Sequence, residues 1–226
     1  MDGSCTSPST PPARLAVLVS GNGSNLQAIL DACAAKAINA EVSLVVANVA
    51  DAHGLQRASA AGVPTAVVEP LEGEPRPAYD ARLLAEVNDT APDIVVLAGW
   101  MRILTRTFLD GFPNRVVNLH PALPGELPGT HAIERAWQEA LAGERTASGV
   151  MVHLVPDEGV DNGPVLLSES VEIRLDDTVD TFSARMHATE HRLLVAALLR
   201  LCDDVFVANR PTPPARTPRR TTVEPP

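Results

Sequence analysis

Aromatic side chains are scarce in this 226-residue chain, at 3% of positions, although hydrophobic residues make up 45%. Its core must therefore be built from Ala, Val, Leu and Ile, and the length suits one domain with some loose ends. Basic residues are also few: 18 Lys and Arg stand against 28 Asp and Glu, a formal net charge of -10. That balance argues against nucleic acid as a partner, because sequence-independent binding needs a basic face against the phosphates. A small anionic ligand remains compatible, since backbone amides and one or two Arg outweigh the average charge locally. Cysteine is limited to Cys5, Cys33 and Cys202, far apart and odd in number. Such a set suits neither a disulfide framework nor a metal site, and fits reduced thiols in a cytoplasmic protein. No apolar run reaches the roughly 18 residues of a membrane helix. The opening MDGSCTSPSTPPAR lacks the apolar segment of a signal peptide.

What is present alternates. Residues 1–13 and the Pro/Arg-rich residues 206–226 bury too little apolar surface to offset ordering entropy and are expected to be disordered tails. Between them lies the expected domain, residues 14–205. Apolar runs at 14–20, 41–48, 65–69, 93–99 and 115–119 read as strands, and the segments 25–36, 54–61 and 78–90 between them carry helical spacing. This order implies an α/β fold, Rossmann-like, with a mainly parallel sheet and helices on both faces. The second half changes character. A helix at 132–142 precedes strands at 148–155 and 165–173, which pair antiparallel as a C-terminal edge, and a long helix follows at 178–201. Trp137 on the first of these helices faces either a contact with another chain or the core.

The turn Ser20-Gly21-Asn22-Gly23-Ser24-Asn25 joins the first strand to the first helix. Free amides at a helix start suit a phosphate, and Ser24 and Asn25 add side-chain donors able to cap the helix. A Walker loop is excluded because the only lysine, Lys36, lies within the next helix; a dinucleotide loop lacks its third glycine. An ordinary capped turn is the competing reading.

At the end of the fifth strand, Asn118-Leu119-His120-Pro121 places Asn118 and His120 on one side by alternation. A carboxamide and an imidazole together bind a carbonyl oxygen and move a proton. The polar loop 157–164 offers carboxylates that either form an exposed charge run or face His120 and raise its pKa. Spacing does not choose among them.

Four segments in order, SGNGSNLQAI, VVLAGWMRIL, NLHPALPG and VDNGPVL, resemble the phosphoribosylglycinamide formyltransferase family over residues 15–201. The resemblance implies transfer of a formyl group from 10-formyltetrahydrofolate to the amine of phosphoribosylglycinamide, in purine biosynthesis, with no metal. It implies His120 as general acid/base, Asn118 as the partner of the formyl oxygen and Asp161 as the carboxylate keeping His120 protonated. Gly23, Ser24 and Asn25 would hold the acceptor's phosphate, Glu190 would contact its glycinamide end, and Arg76 would lie near folate and acceptor. Met101, Arg102, Ile103 and Leu104, with Asn118, would line the pterin pocket. It further implies a cytoplasmic monomer or homodimer with small-molecule partners and no membrane. Three departures stand out: a loop before Asp161 one residue longer than the family's shortest, His187 where many members carry Gln, and PALPGELPG in place of a two-leucine segment. Sister formyltransferases and deformylases share the core, and a nucleotide-binding module would explain the glycine turn while leaving Asn118, His120 and Asp161 idle.

Overall fold

A computed structural model of the chain describes residues 11–208. The expected tails lie almost wholly outside that range; within it, Ala13 already opens the first strand and the last helix runs to Ala208. Seven strands form one sheet: β1 (Ala13–Val19), β2 (Ala40–Ala47), β3 (Thr65–Val67), β4 (Ile94–Leu97), β5 (Val116–His120), β6 (Ala147–Leu154) and β7 (Val165–Glu172). Their order is β3-β2-β1-β4-β5-β6-β7. The first five run parallel, and β6 and β7 extend the edge antiparallel. The continuous apolar runs of the central strands follow from burial on both faces. Along β1, Leu15, Val17 and Val19 enter one core while Ala16 and Leu18 enter the other.

Helices α1 (Ser24–Ala34), α2 (His53–Ala60), α5 (Ala132–Leu141) and α6 (Val179–Ala208) cover the first face. Helices α3 (Arg76–Asn88) and α4 (Arg106–Leu109) cover the second. Two differences from the sequence reading have local causes. Helix α3 starts at Arg76 rather than Ala78, because Pro77 in its first turn needs no amide partner and is preset for helical φ. Helix α4 has four residues, too few for an apolar period to show. Its Phe108 is nevertheless fully buried and pairs with Phe112 at 5.4 Å between ring centres.

The chain starts the sheet at its middle, moves out through β2 to β3, then returns to β4 on the other side of β1. Ligand crevices form at such a reversal, beyond the carboxyl ends of the strands. Here the two ends are tied: the Ser20 amide donates to the Gly99 carbonyl at 3.1 Å, and the Met101 amide to Ser20 Oγ at 2.8 Å.

Helix α6 is anchored by Phe182, which is fully buried and stacks on Trp137 of α5 at 6.1 Å. Trp137 thus has a partner inside the fold, the second of its two readings. Phe182→Ala removes a buried ring and is expected to cost about 3–5 kcal/mol. Urea denaturation should show a lower midpoint with an unchanged slope; a loss below about 1 kcal/mol would mean that α6 is held elsewhere.

Candidate active site

Alternation along β5 does put Asn118 and His120 on one side, and the antiparallel register with β6 sets His153 directly opposite Asn118. Asp161 approaches from the loop between β6 and β7 with a left-handed backbone, φ 52°. Its Oδ1 accepts from Asn118 Nδ2 at 3.0 Å and lies 3.6 Å from His153 Nε2. Its Oδ2 accepts the Gly129 amide at 2.8 Å and lies 3.3 Å from His120 Nδ1. One carboxylate therefore collects two histidines, an asparagine and a loop amide. Of the carboxylates in that polar loop, Asp161 is the one that faces His120.

The hydrogen positions follow from the partners. The Leu127 carbonyl can only accept, so His120 Nε2, 3.0 Å away, carries a hydrogen. The Leu154 carbonyl likewise requires a hydrogen on His153 Nδ1, at 2.8 Å, leaving Nε2 as an acceptor for Asn118 Nδ2 at 3.2 Å. Both amide hydrogens of Asn118 are thus engaged in the resting site. Leu127 holds its carbonyl in place from a left-handed backbone, φ 44°, a strained conformation for a branched residue.

The protonation state corrects the expectation that Asp161 keeps His120 charged. Burial pushes the His120 pKa below 6.5, and the raising effects of Asp161 and the Leu127 carbonyl do not overcome it. Its side chain is 5% exposed, so the imidazolium gives up hydration that one carboxylate at 3.3 Å does not replace. Burial also works against ionised Asp161, but there the Gly129 amide hydrogen bond and the neighbouring groups prevail and hold the carboxyl below the usual range. At neutral pH the pair is a neutral imidazole beside a carboxylate.

These groups sit in a cavity of about 480 Å³ that Met101, Arg102, Ile103 and Leu104 also line. Met101 is 63% exposed and Ile103 46%, apolar surface left open at the cavity rather than packed away. The Met101 amide is already used by Ser20, so it is not a free donor for a ligand. From the PALPGELPG segment, Pro121 and Gly129 line the wall, and Leu127 supplies the carbonyl on His120.

The remaining expected residues do not line this cavity. Gly23 caps α1 without a side-chain hydrogen bond, and the helix starts at Ser24, so neither Ser24 nor Asn25 is the cap. A Cβ on Gly23 would lie 2.7 Å from Gly54 Cα, and its φ is 75°; only glycine lets α2 abut the turn there. Arg57 of α2 braces the turn through Asn22, its Nε at 2.9 Å from the Asn22 carbonyl and its Nη2 at 3.1 Å from Oδ1. Arg76 opens α3, donating to the Ile103 carbonyl at 3.3 Å and facing Glu158 at 3.7 Å. Glu190 is buried on α6 and pairs with His187 at 2.7 Å. Sequence reasoning missed Arg57, the Leu127 carbonyl and His153. Only His153 left a signal, a histidine amid the apolar run VMVHLV.

A family model described as formyl transferase matches residues 13–198. The chain belongs to the formyl transferase family. Among its relatives, phosphoribosylglycinamide formyltransferase of Escherichia coli (strain K12) is 42% identical over 179 residues, covering 79% of this chain and 82% of that protein. The trifunctional purine biosynthetic protein adenosine-3 of Homo sapiens is 37% identical over 186 residues, covering 82% of this chain and 18% of its own length. The crystal structure of glycinamide ribonucleotide transformylase 1 from Symbiobacterium toebii superposes with a TM-score of 0.79 at 38% identity, covering 85% of this chain and 89% of that one. The family's mixed sheet is the one found here, mostly parallel with an antiparallel C-terminal edge. Among the described residues, no helix is long and apolar enough to cross a membrane.

The balance of burial against carboxylate is measurable. Histidine-selective NMR should place the His120 titration midpoint below 6.5, and Asp161→Asn should move it further down, since the residue that raises it is gone. A wild-type midpoint above 6.5 would show that the carboxylate outweighs burial.

Proposed function

We propose that this formyl transferase moves the formyl group of 10-formyltetrahydrofolate to the amine of phosphoribosylglycinamide. The observation that carries the reading is the Asn118–His120–Asp161 cluster at an open, apolar-lined cavity in a chain with these relatives. Bound beside Met101, Arg102, Ile103 and Leu104, the folate co-substrate would supply an activated one-carbon group. The chain's own residues do the rest. Negative charge gathers on the formyl oxygen as the amine attacks, and donors aimed there are worth about 3–4 kcal/mol each. Asn118 can turn one hydrogen to that oxygen by giving up its 3.2 Å contact with His153 while keeping Asp161. His120 can present Nε2–H once the Leu127 carbonyl is displaced. His120 keeps its Nε2–H on that oxygen, Asp161 beside Nδ1 stabilises the positive charge the ring gains in doing so, and the proton released by the attacking amine passes to the departing nitrogen through water.

The phosphate of the acceptor is assigned to the turn at Gly23, Ser24 and Asn25, where first-turn amides of α1 lack helical acceptors. Glu190 is assigned to the acceptor's glycinamide end, and Arg76 to the region near folate and acceptor, through its hold on Ile103. The protein works in the cytoplasm as a monomer or homodimer on small molecules alone, with no metal.

Loss of formyl donor, followed by absorbance with and without phosphoribosylglycinamide, tests the reaction. Acceptor-dependent loss is expected. Loss without acceptor would make the chain a deformylase, and no loss in either case would leave a binding module. His120→Ala and Asn118→Ala should each lower kcat about 100- to 1,000-fold. Near-normal turnover in either variant would remove that residue from the mechanism. Gly23→Ala should instead raise the acceptor's KM about tenfold or more through its collision with Gly54; an unchanged KM would move the phosphate elsewhere.

A further inference from the structure

The segment between His120 and α5 turns left-handed at every second residue. Gly125, Leu127, Gly129 and His131 have φ of 82°, 44°, 83° and 58°. Glycine takes such angles freely. Leucine does not, and Leu127 also precedes Pro128, which favours an extended neighbour. Leu127 therefore keeps its conformation only because its surroundings over-determine it. Its side chain is buried in the first core. On its carboxyl side, the Pro128 carbonyl accepts from Arg135 Nη1 at 2.8 Å and the Gly129 amide is held by Asp161. On its amino side, the Glu126 carboxylate accepts from Arg145 Nη1.

Arg145 is a well-fixed anchor for that last contact. Its side chain is 17% exposed. Its Nε donates to Glu139 of α5 at 2.7 Å, and its Nη1 also reaches the Ala147 carbonyl at the start of β6, at 3.2 Å. One guanidinium thus ties α5 and β6 to the residue next to Leu127. None of Glu126, Glu139 and Arg145 lines the catalytic cavity.

The consequence lies at His120, whose neutral ring has one hydrogen and two competing acceptors. Asp161 Oδ2, 3.3 Å from Nδ1, draws the hydrogen to that nitrogen, whereas the Leu127 carbonyl, 3.0 Å from Nε2, draws it to the other. With the hydrogen on Nδ1, Nε2 would be a lone pair and would repel an oxyanion. The Leu127 carbonyl selects the donating tautomer and keeps it until another oxygen takes its place. We infer that Glu126, held by Arg145, is a positioning residue: it keeps Leu127 left-handed and its carbonyl on His120, so that Nε2 carries the hydrogen offered to the formyl oxygen. The effect on turnover rests on the formyl-transfer reading above; the effect on the tautomer does not.

The test uses the full-length chain with nitrogen-15 labelled histidine, whose ring shifts distinguish Nδ1–H from Nε2–H, beside steady-state kinetics. Wild-type His120 is expected as Nε2–H. In Glu126→Ala the hydrogen should move towards Nδ1, and kcat should fall about tenfold while the acceptor KM stays within about twofold. Glu126→Gln still offers Arg145 an acceptor and should fall between the two. Glu139→Ala removes the other carboxylate from the same guanidinium without touching the segment. It should lower the urea midpoint as Glu126→Ala does, with tautomer and kcat unchanged. An unaltered His120 tautomer in Glu126→Ala, or an equal loss of kcat in Glu139→Ala, overturns the inference, because a contact that only adds stability would not separate the two variants. A wild type without acceptor-dependent transfer would overturn the assigned reaction alone, and the tautomer comparison would still decide the role of Glu126.

Discussion

The site depends on one carboxylate. Asp161 is the point where β5, β6 and two loops meet, through Asn118, His153, the Gly129 amide and His120. Its side chain is 10% exposed, so an ionised carboxylate there must be surrounded by donors or become protonated. Two hydrogen bonds within 3.0 Å, from Asn118 Nδ2 and the Gly129 amide, meet that requirement. The consequence is mutual. The carboxylate orders Asn118 and the loop at Gly129, and those donors in turn keep it ionised inside the protein. The left-handed backbone at Asp161 shows that the loop bends at some conformational cost to deliver it.

That arrangement leaves the working groups occupied at rest. Asn118 spends both amide hydrogens, and His120 spends its Nε2 hydrogen on a strained Leu127. Buried donors without partners are expensive, so a site waiting for a carbonyl oxygen is stabilised by temporary acceptors. In the proposed reaction the contacts that would break are a 3.2 Å contact to His153 and a bond to a carbonyl whose residue sits in an unfavourable conformation. The 3.0 Å bond from Asn118 to Asp161 stays. In the proposed reaction the formyl oxygen would take over as the acceptor for these donors.

Much of this was legible in the sequence, and the parts that were not have physical reasons. On β4, Ile94 and Val96 enter one core while Val95 and Leu97 enter the other, so continuous hydrophobicity marked that central strand well. The alternation of Asn118 and His120 survived because a strand's period is fixed by its pleat. Asp161 came from the resemblance alone, since its approach depends on a loop conformation that no local period encodes. His153 was hidden because its role arises from register with Asn118 across two strands, 35 residues apart in the chain. Arg57 was hidden for a similar reason: its task is to hold a turn in another part of the chain. The charge state of His120 was misjudged because a neighbour can be inferred from motifs, whereas the depth of burial cannot.

Two histidines paired with carboxylates shift in opposite directions, and burial accounts for the difference. His120 is nearly enclosed, so lost hydration dominates and the ring is neutral at rest. His187 is half exposed and close to its carboxylate, so the hydrogen bond dominates over the smaller cost of burial. The same pairing of histidine with carboxylate therefore goes with a lowered pKa in one place and a raised one in the other. Depth relative to solvent decides which, more than the identity of the partner.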